Sequence, residues 1–157
     1  MSTTNHLIIK NFITEKWIER IKIEIRKSIN YKIHQGTIWT FGRTLRFDYD
    51  IMYQLINYCN DIPPILKRLC SHFDNKYDHI FIVYSTYYVK NHSKLYKPEF
   101  VIINLGPTSM KLEINDKEIL LLEHECCIIE SYTSCKIYST DIKMSNFMIL
   151  SKLNIGW

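Results

Sequence analysis

Alanine is absent from this 157-residue chain, while isoleucine, lysine, asparagine and tyrosine are abundant. Alanine codons are GC-rich and codons for those four residues are AT-rich, so an AT-rich genome accounts for the bias. No apolar run reaches the roughly 18 residues of a membrane-spanning helix, so no membrane span is expected. The opening MSTTNHLIIK lacks a basic segment followed by an apolar stretch and a small-residue cleavage site. A secretory leader is therefore not expected, and a cytoplasmic protein is. There is no C-x-x-C pair, and the cysteine count, five, is odd. The thiols are read as reduced small hydrophobes rather than as a zinc site or a disulfide framework. Cys126 and Cys127 are adjacent, so on a strand they would face opposite sides. No run of five like charges occurs, and the net charge is only +4. That excess permits nucleic-acid contact without requiring it. A glycine-rich phosphate loop, a serine nucleophile elbow, an internal repeat, a low-complexity tract and a linker are all missing, and one domain over 1–157 is expected.

Apolar residues make up 46% of the chain and charged residues 23%, a globular balance at a length that can bury a substantial core. Residues 7–10 read as a first strand. Thr14 then caps a helix over 14–30, with Ile13, Trp17, Ile21 and Ile25 in an apolar stripe widened by Ile18 and Ile29. TIWTFGRTLRFDYD at 37–50 is rich in aromatic and β-branched residues and reads as a strand pair or an extended loop. A second helix is expected over 52–57. A third is led by Pro63 and Pro64 and runs through Phe73, since proline is tolerated in a first turn. From Tyr77 the period becomes strand-like: HIFIVYSTYYVK, VIINLG, SMKLEI, EILLL, CCIIES, CKIYST and NFMILSK follow in turn. Asn115 and Asp116 sit between two of these runs as a hairpin turn. Strands after a helical N-terminal third point to a sandwich or jelly-roll barrel with helices on one face.

Several segments, taken in order, carry a resemblance. They are NFITEKWIERI at 11–21, FGR at 41–43, DIPPILKRL at 61–69, VIINLG at 101–106 and LLLEHE at 120–125. Over most of its length the chain resembles the AlkB-like 2-oxoglutarate and iron-dependent dioxygenases. The resemblance implies an α+β fold, a double-stranded β-helix or jelly roll of about seven or eight strands with N-terminal helices packed on one face. It also implies an iron site of two histidines and one carboxylate, and an arginine for the far carboxylate of 2-oxoglutarate.

Carried over residue by residue, those positions are degenerate. His92 matches the first histidine, but Lys94 stands where the carboxylate belongs, and an ammonium has no lone pair to offer iron. The second histidine falls on Ser139, the cosubstrate arginine near Asn146, and a further arginine on Lys152. His124, Glu99 and Asp141 are the nearest substitutes, and His124 has a structural reading as a hairpin-turn residue. No catalytic residue, metal or cofactor is expected.

A pseudoenzyme reused as a structural or protein-interaction module is the leading expectation. With the AT-rich bias, a large cytoplasmic DNA virus such as a poxvirus is the expected origin, and a viral or host protein the expected partner. Eleven tyrosines suit a protein interface, and open strand edges leave room for a homodimer. Two alternatives stay open. One is a nucleic-acid binder whose Arg43, Arg46, Tyr87, Tyr88 and Lys90 line a basic aromatic groove. The other is an active 2-oxoglutarate oxygenase with non-standard ligands.

Overall fold

In the computed structural model, which describes residues 6–28, 37–41, 56–59, 61–73, 77–84, 94–95, 99–130, 133–138 and 146–152, the chain starts with a strand, β1 (His6–Ile9). Helix α1 (Glu15–Ser28) follows. Thr14 caps it, its Oγ1 accepting the Trp17 N–H at 3.2 Å while its carbonyl accepts Ile18 N–H at 3.0 Å. Glu15 in the first turn complements the helix dipole. Strands β2 (Thr37–Phe41) and β3 (Ile56–Cys59) come next, then helix α2 (Pro64–Cys70). Pro64 occupies the first turn of α2, where a missing N–H costs nothing. The rest is strand: β4 (His79–Tyr84), β5 (Lys94–Leu95), β6 (Phe100–Gly106), β7 (Met110–Ile114), β8 (Lys117–Leu121), β9 (Cys126–Ile129), β10 (Cys135–Tyr138) and β11 (Asn146–Ser151).

The strands form two sheets. The larger has seven strands in the order β1-β9-β6-β11-β4-β2-β3, and the smaller has four in the order β5-β10-β7-β8. All neighbours are antiparallel except β2 and β3, which pair in parallel. The β7–β8 hairpin turns on Asn115 (φ 47°) and Asp116 (φ 64°). Positive φ at both central residues is the turn geometry whose twist matches the flanking strands.

Strand alternation divides the interior into two clusters. Ile102 and Ile149 join Phe100, Cys127, Ile129 and Phe147 of the larger sheet with Met110, Leu112, Ile114, Leu121, Cys135 and Ile137 of the smaller. Ile103, Met148 and Cys126 join Ile80, Ile82, Val101, Leu105 and Leu150, together with Ile13, Ile18, Ile21, Leu66, Leu69 and Cys70. Cys126 and Cys127 thus enter different clusters, as alternation on a strand demands.

The expected α+β double-stranded β-helix of about seven or eight strands with helices on one face is corrected by this topology. The described chain is mostly antiparallel β: eleven strands in two sheets that do not close into a barrel, against two helices of 14 and 7 residues. The physical reason lies in the N-terminal third. Its segments β1 and β2, expected to be extended, join the larger sheet, and β3 pairs with β2 where a helix was expected. The helix expected over 52–57 is overturned where it can be seen, since Ile56–Cys59 is a strand paired with β2.

Candidate functional site

Among the described residues, a densely bonded polar region is the turn 122–125, which joins β8 of the smaller sheet to β9 of the larger. The Leu122 N–H donates to Glu125 Oε1 at 2.7 Å, and the Glu125 N–H returns to the Leu122 carbonyl at 3.1 Å. Between them His124 takes φ 70°, a left-handed conformation that is costly for a side chain with a Cβ. The surroundings hold it there. Its N–H donates to the Asn104 carbonyl at 3.0 Å, and its own carbonyl accepts from Phe12 and Ile13 N–H at 2.9 and 3.3 Å. The turn therefore ties the entry to α1, the end of β6 and the end of β8 together.

Asn104 is the centre of this region and is fully buried. Its Nδ2 donates to the carbonyls of Thr108 (2.9 Å) and Leu121 (3.0 Å), and its Oδ1 accepts the Gly106 N–H at 2.8 Å. The bond to Leu121 crosses from the larger sheet to the smaller. Gly106 has φ 85°, and a Cβ placed there would lie 2.7 Å from Glu123 Oε1. Glycine is required both by the backbone and by the packing of Glu123 against it.

Above the turn, His124 Nε2 lies 2.8 Å from Glu15 Oε1 and 3.2 Å from Glu123 Oε1. The ligand atoms of all three residues fall within 4.8 Å of one another. One imidazole and two carboxylates are a donor set that a divalent cation accepts, and their mutual ion pairs also account for the arrangement.

The outer side of β8 is a different kind of surface. Leu120 and Leu122 are 52% and 48% exposed, while Leu121 between them is fully buried. Charges surround the two leucines: Lys117 and Glu118 are exposed, and Glu118 Oε1 meets Lys111 Nζ of β7 at 3.0 Å. Among the described residues β8 is the edge of its sheet.

The four thiols with described surroundings, Cys70, Cys126, Cys127 and Cys135, are free and buried. Burial pushes Cys70, Cys126 and Cys135 up to about 12, and burial raises Cys127 as well. They are thiols, not thiolates, at neutral pH, and so are neither nucleophiles nor ready metal ligands.

Lys94, Asn146, Lys152, Glu99 and His124 are the sequence-derived positions among the described residues. Lys94 is in β5, opposite Lys136 in the smaller sheet. Asn146 begins β11 of the larger sheet opposite Gly106, and Lys152 lies exposed just past that strand's far end. Six residues of extended chain separate these last two by roughly 20 Å. Glu99 precedes β6 and accepts a hydrogen bond from Tyr77 Oη at 2.9 Å. His124 bonds near the other end of β6, so the two do not share a site. His92, Ser139, Asp141, Arg43, Arg46, Tyr87, Tyr88 and Lys90 lie outside the described residues. Sequence reasoning missed Asn104 and the exposed leucines. Both left a signal: an amide inside the apolar run VIINL, and three consecutive leucines, of which alternation on a strand covered on one face turns at least one outward.

No family model matches the chain, and no curated protein matches it. Among solved structures it is similar to the plu4264 protein from Photorhabdus luminescens, with TM-score 0.39 and 11% identity over 46% of this chain and 59% of that one. The chain thus spans less than two thirds of that neighbour's length, and a likeness of this size carries no argument about function. Among the described residues no helix is long and apolar enough to cross a membrane.

Proposed function

We propose that the chain is a non-catalytic protein-interaction module whose contact surface is the outer side of β8. The observation that carries this reading is the pair Leu120, on a strand that is an edge among the described residues, and Leu122, in the turn that follows it, both about half exposed and surrounded by charge. Aliphatic side chains set among polar ones mark a contact surface, and an edge strand offers unpaired backbone groups beside them. The non-catalytic part is supported by residue chemistry. Lys94 cannot ligate a cation while protonated, and the described thiols are held protonated. The composition, with no alanine and abundant isoleucine, lysine, asparagine and tyrosine, supports an origin in a large DNA virus with an AT-rich genome and a viral or host protein as partner.

The test compares the natural chain with the double variant Leu120→Lys/Leu122→Lys in affinity capture from host cells. Both leucines point to solvent, so the variant keeps its fold by circular dichroism and loses the captured partner. An unchanged partner set removes β8 as the contact surface. Iron-dependent turnover of 2-oxoglutarate by the purified chain overturns the non-catalytic reading.

A further inference from the structure

We propose that Glu15, Glu123 and His124 hold one divalent cation of the zinc class, which clamps the start of α1 to the turn between β8 and β9. This site is separate from the contact surface on β8 and does not depend on it. Its donors come from two parts of the chain, with Glu15 and His124 109 positions apart. The backbone fixes both parts. Thr14 caps α1 one residue before Glu15, and the Phe12 and Ile13 N–H groups both donate to the His124 carbonyl, at 2.9 and 3.3 Å. On the other side, the His124 N–H is held by the Asn104 carbonyl at 3.0 Å, which sets Glu123 and His124 together in the turn. The third donor depends on a gap. Glu123 Oε1, the oxygen that reaches His124 Nε2, would lie 2.7 Å from a Cβ on residue 106, so the glycine there leaves this carboxylate its place.

The spacing suits coordination. Nitrogen and oxygen ligands held roughly 2.1 Å from an ion, at octahedral or tetrahedral angles, stand about 3.0–3.4 Å from one another. Here His124 Nε2 lies 2.8 Å from Glu15 Oε1 and 3.2 Å from Glu123 Oε1, and all the donor atoms fall within 4.8 Å of one another. Ion pairing alone explains one carboxylate on the imidazole, not two. Among the described residues neither Glu15 nor Glu123 has a lysine or arginine within ion-pair distance. Two carboxylates therefore share one imidazole, which supplies at most one positive charge. The start of α1 adds only about half a positive charge, so negative charge is left over for a cation to neutralise. The imidazole nitrogen selects the metal. Calcium and magnesium prefer oxygen ligands, whereas zinc takes histidine and carboxylate together. Glu15 and Glu123 are exposed and His124 is half-buried, so the ion enters from solvent and water completes its shell.

Calorimetric titration of the full, untagged chain with Zn²⁺, alongside thermal denaturation, tests the proposal. One Zn²⁺ per chain is expected to bind, and the thermal midpoint should rise with zinc concentration because the ion binds the folded arrangement. Glu15→Gln and Glu123→Gln should each weaken binding roughly tenfold. His124→Gly, which relaxes the turn at φ 70°, should abolish binding while its midpoint without zinc stays near that of the natural chain. His6→Asn, at the end of β1 away from the turn, should bind as the natural chain does. Co²⁺ in place of zinc should absorb in the visible without the charge-transfer band of a sulfur ligand, which separates this site from the cysteines. A chain that takes up no zinc overturns the proposal. So does zinc binding that survives His124→Gly, that is indifferent to both glutamine variants, or that carries a sulfur band with cobalt. Equal affinity for Ca²⁺ overturns the assignment to the zinc class.

Discussion

Two regions meet at Leu121 and are held together by different forces. On one side lies the inter-sheet cluster, with Phe100, Ile102, Leu112, Leu121, Cys127, Ile129, Cys135 and Ile149 packed without a polar group among its members. On the other lies the turn 122–125, where Asn104, Gly106, Glu123, His124 and Glu125 are fixed by directed hydrogen bonds and ion pairs. The first is non-directional and tolerates exchange between apolar residues of similar volume. Around Asn104 the second fails when one partner is removed, because the groups left behind are buried and cannot find water. The contrast locates the specificity of the fold at the point where the two sheets are joined, next to the outer side of β8 that we propose as the contact surface.

The largest expected effect breaks the comparison at its centre. Asn104→Leu keeps the branching of the side chain but strands the Leu121 and Thr108 carbonyls and the Gly106 N–H, and should cost about 3 kcal/mol or more by urea denaturation. Ile149→Val in the apolar cluster should cost only about 1 kcal/mol. Equal losses at the two positions would erase the distinction. Gly106→Ala should cost roughly 1–3 kcal/mol, because φ 85° strains any residue with a Cβ. Adding Glu123→Ala should return only the steric part, since the clash is with a flexible carboxylate.

The apolar cluster has its own signature in alkali. Cys135, raised to about 12 by burial, binds a proton more tightly folded than unfolded. Its contribution to stability is therefore present below the unfolded thiol pKa, near 8.5, and is lost as pH climbs toward 12. Cys70 and Cys126 act in the same direction. Denaturation midpoints measured from pH 8 to pH 11 should fall steadily, and a thiol reagent at pH 8 should label the native chain far more slowly at these cysteines than the unfolded chain. A midpoint that rises over that range contradicts the assignment. The smallest effect belongs to the exposed end of the turn. His124→Ala loses the contacts to Glu15 and Glu123, which are solvent-screened and worth less than about 1 kcal/mol. His124→Gly should be close to neutral, because relief at φ 70° offsets the lost pair.

Much of the local structure was legible in the sequence. Thr14 capped the helix as its hydroxyl permits, and Asn115 and Asp116 turned the hairpin because both tolerate positive φ. The opposite facing of Cys126 and Cys127 followed from the period of a strand. What failed was long-range. Nothing local says that His6–Ile9 will pair with Cys126–Ile129, or that Thr37–Phe41 and Ile56–Cys59 will lie parallel at one side of the larger sheet. Those pairings replaced the helix expected over 52–57 with strand and built an open seven-stranded sheet where a jelly-roll barrel was expected. The turn was visible only as a family-like LLLEHE segment. Its physical meaning, two leucines outward and one inward above a buried asparagine, depends on β6 arriving from elsewhere in the chain.

The central claim is that the working surface is the outer side of β8 rather than the interior between the sheets. The most direct measurement places a photo-reactive residue on that surface, Leu120→p-benzoylphenylalanine, and compares it in cells with the same residue at Lys67, an exposed position on α2. The account predicts a discrete protein adduct from position 120, whether a second copy or another chain, and none of comparable yield from position 67. Equal adduct yields from the two positions, or none from position 120, would contradict it.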